Sequence, residues 1–300
     1  MNELYIRPDN TVLKHIFNAT PTISIFSHSS HNCVFRAGFR AGWDGWIKPP
    51  LIACMDAADI KHASIHTIAA MQKVAAKYIP NLVPNILSKG TVNDKDGRKF
   101  QFCVMEFAEG QTLDTAWDYM TEANQTSVMW AITEALQELH SVRLSDDAVQ
   151  IILRETLGEE ERTELDKAVM GGAYGGFLHN GHALLNAVKK AQQVTKESFC
   201  QIKPITGSDL RGFMVESNFG HLESVTVKEG DMEKWPSEAV FCLNDLSPHN
   251  FLLRLVSSPA DKKPRYKLSA ILDWKFAGFY PPSYELSLQD ACLGGANSNL

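Results

Sequence analysis

Two apolar runs that each break on an acid constrain this chain most. The first, Val240-Phe241-Cys242-Leu243, gives way to Asn244-Asp245-Leu246-Ser247-Pro248-His249-Asn250 and resumes as Phe251-Leu252-Leu253. The second, Ala270-Ile271-Leu272, ends on Asp273-Trp274. Short apolar runs bounded by turn residues read as buried strands, and Pro248 closes the turn inside the first stretch. Asp245, Asn250 and Asp273 therefore stand on loops at strand ends. A lone acid in such a place usually caps a turn. Two acids and an amide held together can do more: they can position a hydroxyl nucleophile and hold a divalent cation, because hard cations take oxygen ligands.

The remainder sorts into two characters. Phe26 to Arg36 reads as strand, tight turn and strand, and Leu51 to Met55 as a short strand. Ile86 to Gly90 and Lys99 to Glu106 read as two strands around the polar turn Asn93-Asp94-Lys95-Asp96-Gly97. Between them Ile65, Ile68, Ala69, Met71, Val74 and Ala75 recur at helical spacing, which predicts a helix from Ile65 to Tyr78, ended by Pro80 and Pro84. Past Leu113 the pattern turns helical. Val128, Ile132, Ala135, Leu136 and Leu139 share one face of a helix over Thr126 to Val142. Residues 150–200 read as helical and charged, interrupted by Gly171-Gly172-Ala173-Tyr174-Gly175-Gly176. The fold class expected is α+β.

The two acid-bearing motifs resemble those of the aminoglycoside phosphotransferase and choline kinase family, whose signature runs roughly H-[G/N]-D-L-x-x-x-N and then I-D-W-E-x-A-G. Phe102-Cys103-Val104-Met105-Glu106-Phe107-Ala108-Glu109-Gly110 resembles the family's hinge segment, and it precedes the motifs in the same order. The resemblance implies a bilobal kinase-like fold, with a nucleotide-type lobe over residues 1–107 and a helical lobe over 108–300. It implies ATP as co-substrate and Mg2+ as cofactor. By the same resemblance Asp245 orients the acceptor hydroxyl, Asn250 and Asp273 hold the metal, and backbone at Glu106, Phe107 and Ala108 meets adenine. The wording around both motifs is similar to that of fungal proteins, which implies a fungal source and specialised metabolism.

Several family residues are replaced. Leu243 stands where the motif histidine is expected, and Lys275 where a glutamate follows Asp-Trp. The turn His28-Ser29-Ser30-His31-Asn32 has no glycine, though Ser and Asn can still present backbone N–H groups to phosphate. Leu51 to Met55 carries no lysine, leaving Lys48 or Lys61 as poor substitutes, and the following helix begins Ser64-Ile65-His66-Thr67-Ile68 without an acid. Two function classes follow. One is an ATP- and magnesium-dependent phosphotransferase acting on a hydroxyl of a small molecule. The other is a kinase-like fold put to another use, catalysing a non-phosphoryl step on a natural product or binding a metabolite.

Composition narrows the partners. A net charge of −6 with a pI near 5.9 argues against nucleic acid or an anionic membrane. No run has the length of a membrane span and no secretory leader is visible, so a cytoplasmic protein is expected. The six cysteines are scattered without a C-x-x-C pair, which reads as reduced and mostly buried thiols. His179 and His182 read as surface residues of a polar loop, with metal ligation as the weaker alternative, His140 as a packing or capping residue at a helix end, and His221 either as a substrate contact or as part of a turn. The run Glu155, Glu159, Glu160, Glu161, Glu164 and Asp166 reads as a solvated helix face, with attraction of a cationic substrate as the other possibility. Neither the acceptor nor the oligomeric state is written in the sequence.

Overall fold

The computed structural model describes residues 5–39, 49–58, 64–194, 200–205, 211–217, 224–256 and 265–285. Helix α1 (Asn10–Phe17) starts where Asp9 Oδ1 accepts from the Val12 N–H at 2.9 Å, and it leads into strands β1 (Thr22–His28), β2 (Asn32–Gly38) and β3 (Leu51–Ala57). Helix α2 (Ile65–Tyr78) follows, then β4 (Ile86–Asn93) and β5 (Lys99–Glu106). The five strands form one antiparallel sheet in the order β1-β2-β3-β5-β4.

Period-two alternation decides what each face of that sheet does. Phe35, Ala53, Met55, Phe102 and Val104 are buried against α1 in a core of their own. Their sequence neighbours Val34, Ile52, Cys54, Cys103 and Met105 point the other way and line a cleft. Helix α2 belongs to a different core. Ala70, Met71, Val74 and Ala75 pack with Leu139, Leu153 and Trp274 of the following half. Its N-terminus is tied there too, since Ser64 Oγ accepts from the His66 N–H and donates to Glu161 Oε1 at 2.6 Å.

The second half opens with β6 (Gln111–Thr112), α3 (Leu113–Trp117), α4 (Glu122–His140), α5 (Asp147–Thr156) and α6 (Glu159–Leu165). Next come β7 (Met170–Gly172), β8 (Gly176–Leu178), α7 (Gly181–Val194), β9 (Cys200–Ile205), β10 (Gly212–Ser217), β11 (Val225–Lys228) and α8 (Glu229–Glu238). Strands β12 (Val240–Cys242), β13 (Phe251–Val256), β14 (Arg265–Ile271) and β15 (Gly278–Tyr280) carry the two acid-bearing motifs. They divide between two sheets, β12-β15-β7-β8 and β14-β13-β6, while β9, β10 and β11 form a third.

The fold is α+β, as expected, but the second half holds more strand than its periodicity indicates. The glycine-rich stretch is the β7–β8 hairpin rather than a break between helices. Its glycines are steric: a Cβ on Gly172 would fall 2.4 Å from Gly278 Cα, so the two strands meet backbone to backbone. Among the described residues of 150–200, only those of α5, α6 and α7 are helical. No helix among the described residues is long and apolar enough to cross a membrane.

Candidate active site

The two motifs fold alike. After β12 the chain passes Leu243 and Asn244, makes a one-turn 3-10 segment at Pro248–Asn250, and enters β13. After β14 it passes Leu272 and Asp273, makes a 3-10 turn at Trp274–Phe276, and enters β15. Each turn is preceded by a residue at φ 60°, Asn244 in one and Asp273 in the other. Asn and Asp tolerate the left-handed region better than other side chains, so the residue types fit the sharp corner. Such corners mark places where backbone strain is held for a purpose.

Direct hydrogen bonds fasten the two corners together. The Leu272 N–H donates to the Asn250 carbonyl at 2.8 Å, Asn250 Nδ2 to the Asp245 carbonyl at 3.1 Å, and Asn244 Nδ2 to the Phe276 carbonyl at 3.1 Å. Asp245, Asn250 and Asp273 are thereby brought to one place. Burial pushes the Asp245 carboxyl above its ordinary range, and the Asp273 carboxylate adds to that. Lys275 Nζ lies 2.5 Å from Asp273 Oδ2, with Asp273 about a third exposed and Lys275 about half. Burial works against the Lys275 ammonium, but the carboxylates of Asp273, Asp245 and Asp56 outweigh it and hold the pKa above normal.

Beneath the first corner sits a buried acid that the motifs do not announce. Glu285 is 2% exposed; its Oε1 accepts from the N–H groups of Leu243 at 2.8 Å and Asn244 at 2.9 Å. Its Oε2 lies 2.6 Å from His140 Nε2, at the end of α4. With the motif histidine replaced by Leu243, this carboxylate orders the loop entry. His140 is therefore the partner of a loop-holding acid rather than a helix cap. Cys242 completes the cluster, since ligand atoms of His140, Cys242 and Glu285 all lie within 4.8 Å of one another. In this structure both Glu285 oxygens meet donors, and the Cys242 thiol donates to the Val240 and Tyr280 carbonyls at 3.5 Å, so the cluster is hydrogen-bonded throughout.

The cleft between this region and the five-stranded sheet has a volume of about 570 Å³. Asn250, Asp273 and Lys275 form one end; Glu106, Phe107 and Ala108, just past the end of β5, form another part of the wall. Asp245 lies outside the wall and reaches it through Asn250 and Asp273. Glu106 is fixed from both sides of its chain. Its N–H donates to the Asn85 carbonyl at 3.0 Å, and its Oε2 accepts from Asn85 Nδ2 at 2.9 Å. Arg36 stacks over Phe107 at 4.7 Å.

The sheet side of the cleft is poor in groups for anions. The β3 residues that face it are Ile52, Cys54 and Asp56. The β1–β2 turn also spends its donors on itself. The His31 and Asn32 N–H groups both donate to Ser29 Oγ at 3.0 Å, so these two amides are already bonded within the turn. Lys48, Lys61 and His221 lie outside the described residues. His182 approaches Glu229 at 3.8 Å and, with His179, stands away from the cleft. In the acidic run, Glu161 holds Ser64, Asp166 pairs with Arg154 at 2.8 Å, and Glu159 and Glu160 are exposed.

The sequence model of the phosphotransferase enzyme family matches residues 50–289, most of the chain, including both motifs, the hinge segment and Glu285. No curated protein matches the chain. Among solved structures, a Ralstonia eutropha JMP134 protein assigned as an aminoglycoside phosphotransferase is similar at 14% identity and TM-score 0.46. That match covers 91% of this chain, which spans 65% of the other protein's length. The GDP complex of wild-type aminoglycoside 2'-phosphotransferase-IIIa is similar at 12% identity and TM-score 0.42, covering 94% of this chain and 76% of that one. The GDP and kanamycin complex of APH(2")-IIIa is similar at 12% identity and TM-score 0.40, covering 93% and 76%. With the family matched across both motifs, the chain belongs to the phosphotransferase enzyme family.

Proposed function

We propose that the chain transfers a phosphoryl group from ATP, in the presence of Mg2+, to a hydroxyl of a small molecule. The observation that carries this reading is the placement of Asn250 and Asp273 at one end of a cleft, with Asp245 adjoining them just outside its wall, and the segment Glu106 to Ala108 in another part of that wall. The donor set fits magnesium. It offers a carboxylate and an amide oxygen, few enough to leave room for phosphate oxygens and water, and all of them hard. Bound there, magnesium would neutralise charge on the transferring phosphoryl group.

The chain's own residues divide the remaining work. Asn250 donates its amide nitrogen to the Asp245 carbonyl, which leaves the amide oxygen for the metal alongside Asp273. Asp245, at the edge of the cleft, orients the acceptor hydroxyl and takes its proton as transfer completes; a carboxyl with a raised pKa is the better base for that late step. The backbone beyond β5 leaves the strand ladder at Phe107 and Ala108 and can meet an adenine edge. The wording of the two motifs supports a fungal source and a substrate from specialised metabolism. The retention of Asp245, Asn250 and Asp273 together weighs against a cleft that only binds a metabolite.

The test is ATP consumption with magnesium over a panel of hydroxylated small molecules, with products read as phosphate esters. Phosphate ester formed by the wild type and lost in Asp245→Asn is the expected result. An Asp245→Asn protein as active as the wild type would remove Asp245 from the reaction, and a wild type that binds no nucleotide would favour the repurposed-fold reading.

A further inference from the structure

The cleft wall carries three acids, Asp56, Glu106 and Asp273, and among the described residues a single base, Lys275. Nucleotide phosphates are polyanionic, and a wall of this sign repels them unless a cation meets them. Among the described residues the sheet places no base in the cleft wall itself; Arg36 of β2 is engaged over the Phe107 ring. The cleft-facing β3 position is the thiol of Cys54, and the two amides of the β1–β2 turn are bonded to Ser29. We infer that Lys275 is the phosphate-contacting cation of this cleft, carried on the turn after Asp273 instead of on the sheet. The inference deepens the reading of the cleft as a nucleotide site and rests on it.

The turn that carries Lys275 is firmly placed. Trp274 is 2% exposed, its Nε1 donates to the Ile271 carbonyl at 3.2 Å, and the Ala277 N–H closes the turn on the Trp274 carbonyl at 3.1 Å. The side chain above this anchor is about half exposed, held by Asp273 and by the Phe276 ring 5.0 Å away. It is therefore steered into the cleft without being buried in it. An ammonium has three donors, so it can keep Asp273 and still meet a phosphate oxygen. A lysine that only neutralised Asp273 would act on phosphates through that carboxylate alone. In an Asp273→Asn background its removal would then no longer weaken ADP binding, an outcome that overturns the assignment, whereas a phosphate-contacting lysine keeps its effect there. That difference separates the two roles.

The experiment is calorimetric titration of the full chain with ADP and with adenosine, each with excess Mg2+ and with chelator, for wild type, Lys275→Met and Lys275→Arg, and with chelator for Asp273→Asn with and without Lys275→Met. Loss of one charge-assisted hydrogen bond predicts ADP binding weakened roughly tenfold in Lys275→Met, in chelator as well as in magnesium. Adenosine binding should be unchanged, and Lys275→Arg should stay within a few-fold of wild type. Lys275→Met binding ADP as tightly as wild type, or losing ADP and adenosine equally, overturns the assignment while leaving the nucleotide reading intact. A wild type that binds neither ligand overturns the nucleotide reading and this inference with it. Should Lys275→Met fail to fold, Lys275→Gln, which keeps length and polarity without charge, takes its place under the same criteria.

Discussion

Removing the Glu285 carboxylate tests whether a buried acid holds the loop entry. In Glu285→Ala the N–H groups of Leu243 and Asn244 lose their acceptor in a place that is buried, since Leu243 is fully buried and Asn244 is 1% exposed. A buried donor left unpaired costs about 1–3 kcal/mol, so two of them together cost about 2–6 kcal/mol. His140 adds little to this, because its side chain is 29% exposed and can be rehydrated. The expected loss is therefore about 4 kcal/mol. Glu285→Gln keeps an oxygen for the two N–H groups and gives up only the charge, which predicts a loss of about 1–2 kcal/mol. Urea unfolding with an unchanged slope measures both. A loss under about 1 kcal/mol for Glu285→Ala, or equal losses for the two variants, would refute the claim that this carboxylate is the acceptor holding the loop.

Two further predictions concern groups in and around the cleft. Burial and the Asp273 carboxylate raise the Asp245 pKa in the folded state, so ionised Asp245 disfavours folding at neutral pH and protonated Asp245 does not. Asp245→Asn should accordingly raise the melting temperature by a few degrees at pH 7, and the gain should vanish below about pH 4, where the side chain is protonated in both states. Burial also pushes the Cys103 thiol up to about 12 and the neighbouring Cys54 thiol higher still. Both should resist iodoacetamide at pH 8 in the native protein and react once it is unfolded, as mass spectrometry would show.

Much of this molecule is legible in its sequence because its elements obey simple periods. The α2 pattern gives the observed helix Ile65–Tyr78, and the alternation over Lys99–Glu106 gives β5 at the same bounds. The face of α4 is equally plain, with Val128, Ile132, Ala135 and Leu139 all buried. What is not legible is what depends on distant partners. Nothing near Tyr284-Glu285 marks an acid that reaches back to Leu243. The β1–β2 turn misleads for a related reason, because Ser29 Oγ competes for amides that a phosphate would otherwise meet. The three-residue strands β7 and β8 lack the length to show alternation, and Gly172 acts through contact with Gly278 of β15, which only the folded chain reveals.

Calorimetric titration with ATP, with and without magnesium, of the wild type and Asp273→Ala tests the central claim most directly. The account predicts magnesium-dependent binding in the wild type that is lost or strongly weakened in the variant. Absence of binding at millimolar ATP, or binding indifferent to both magnesium and Asp273, would contradict it.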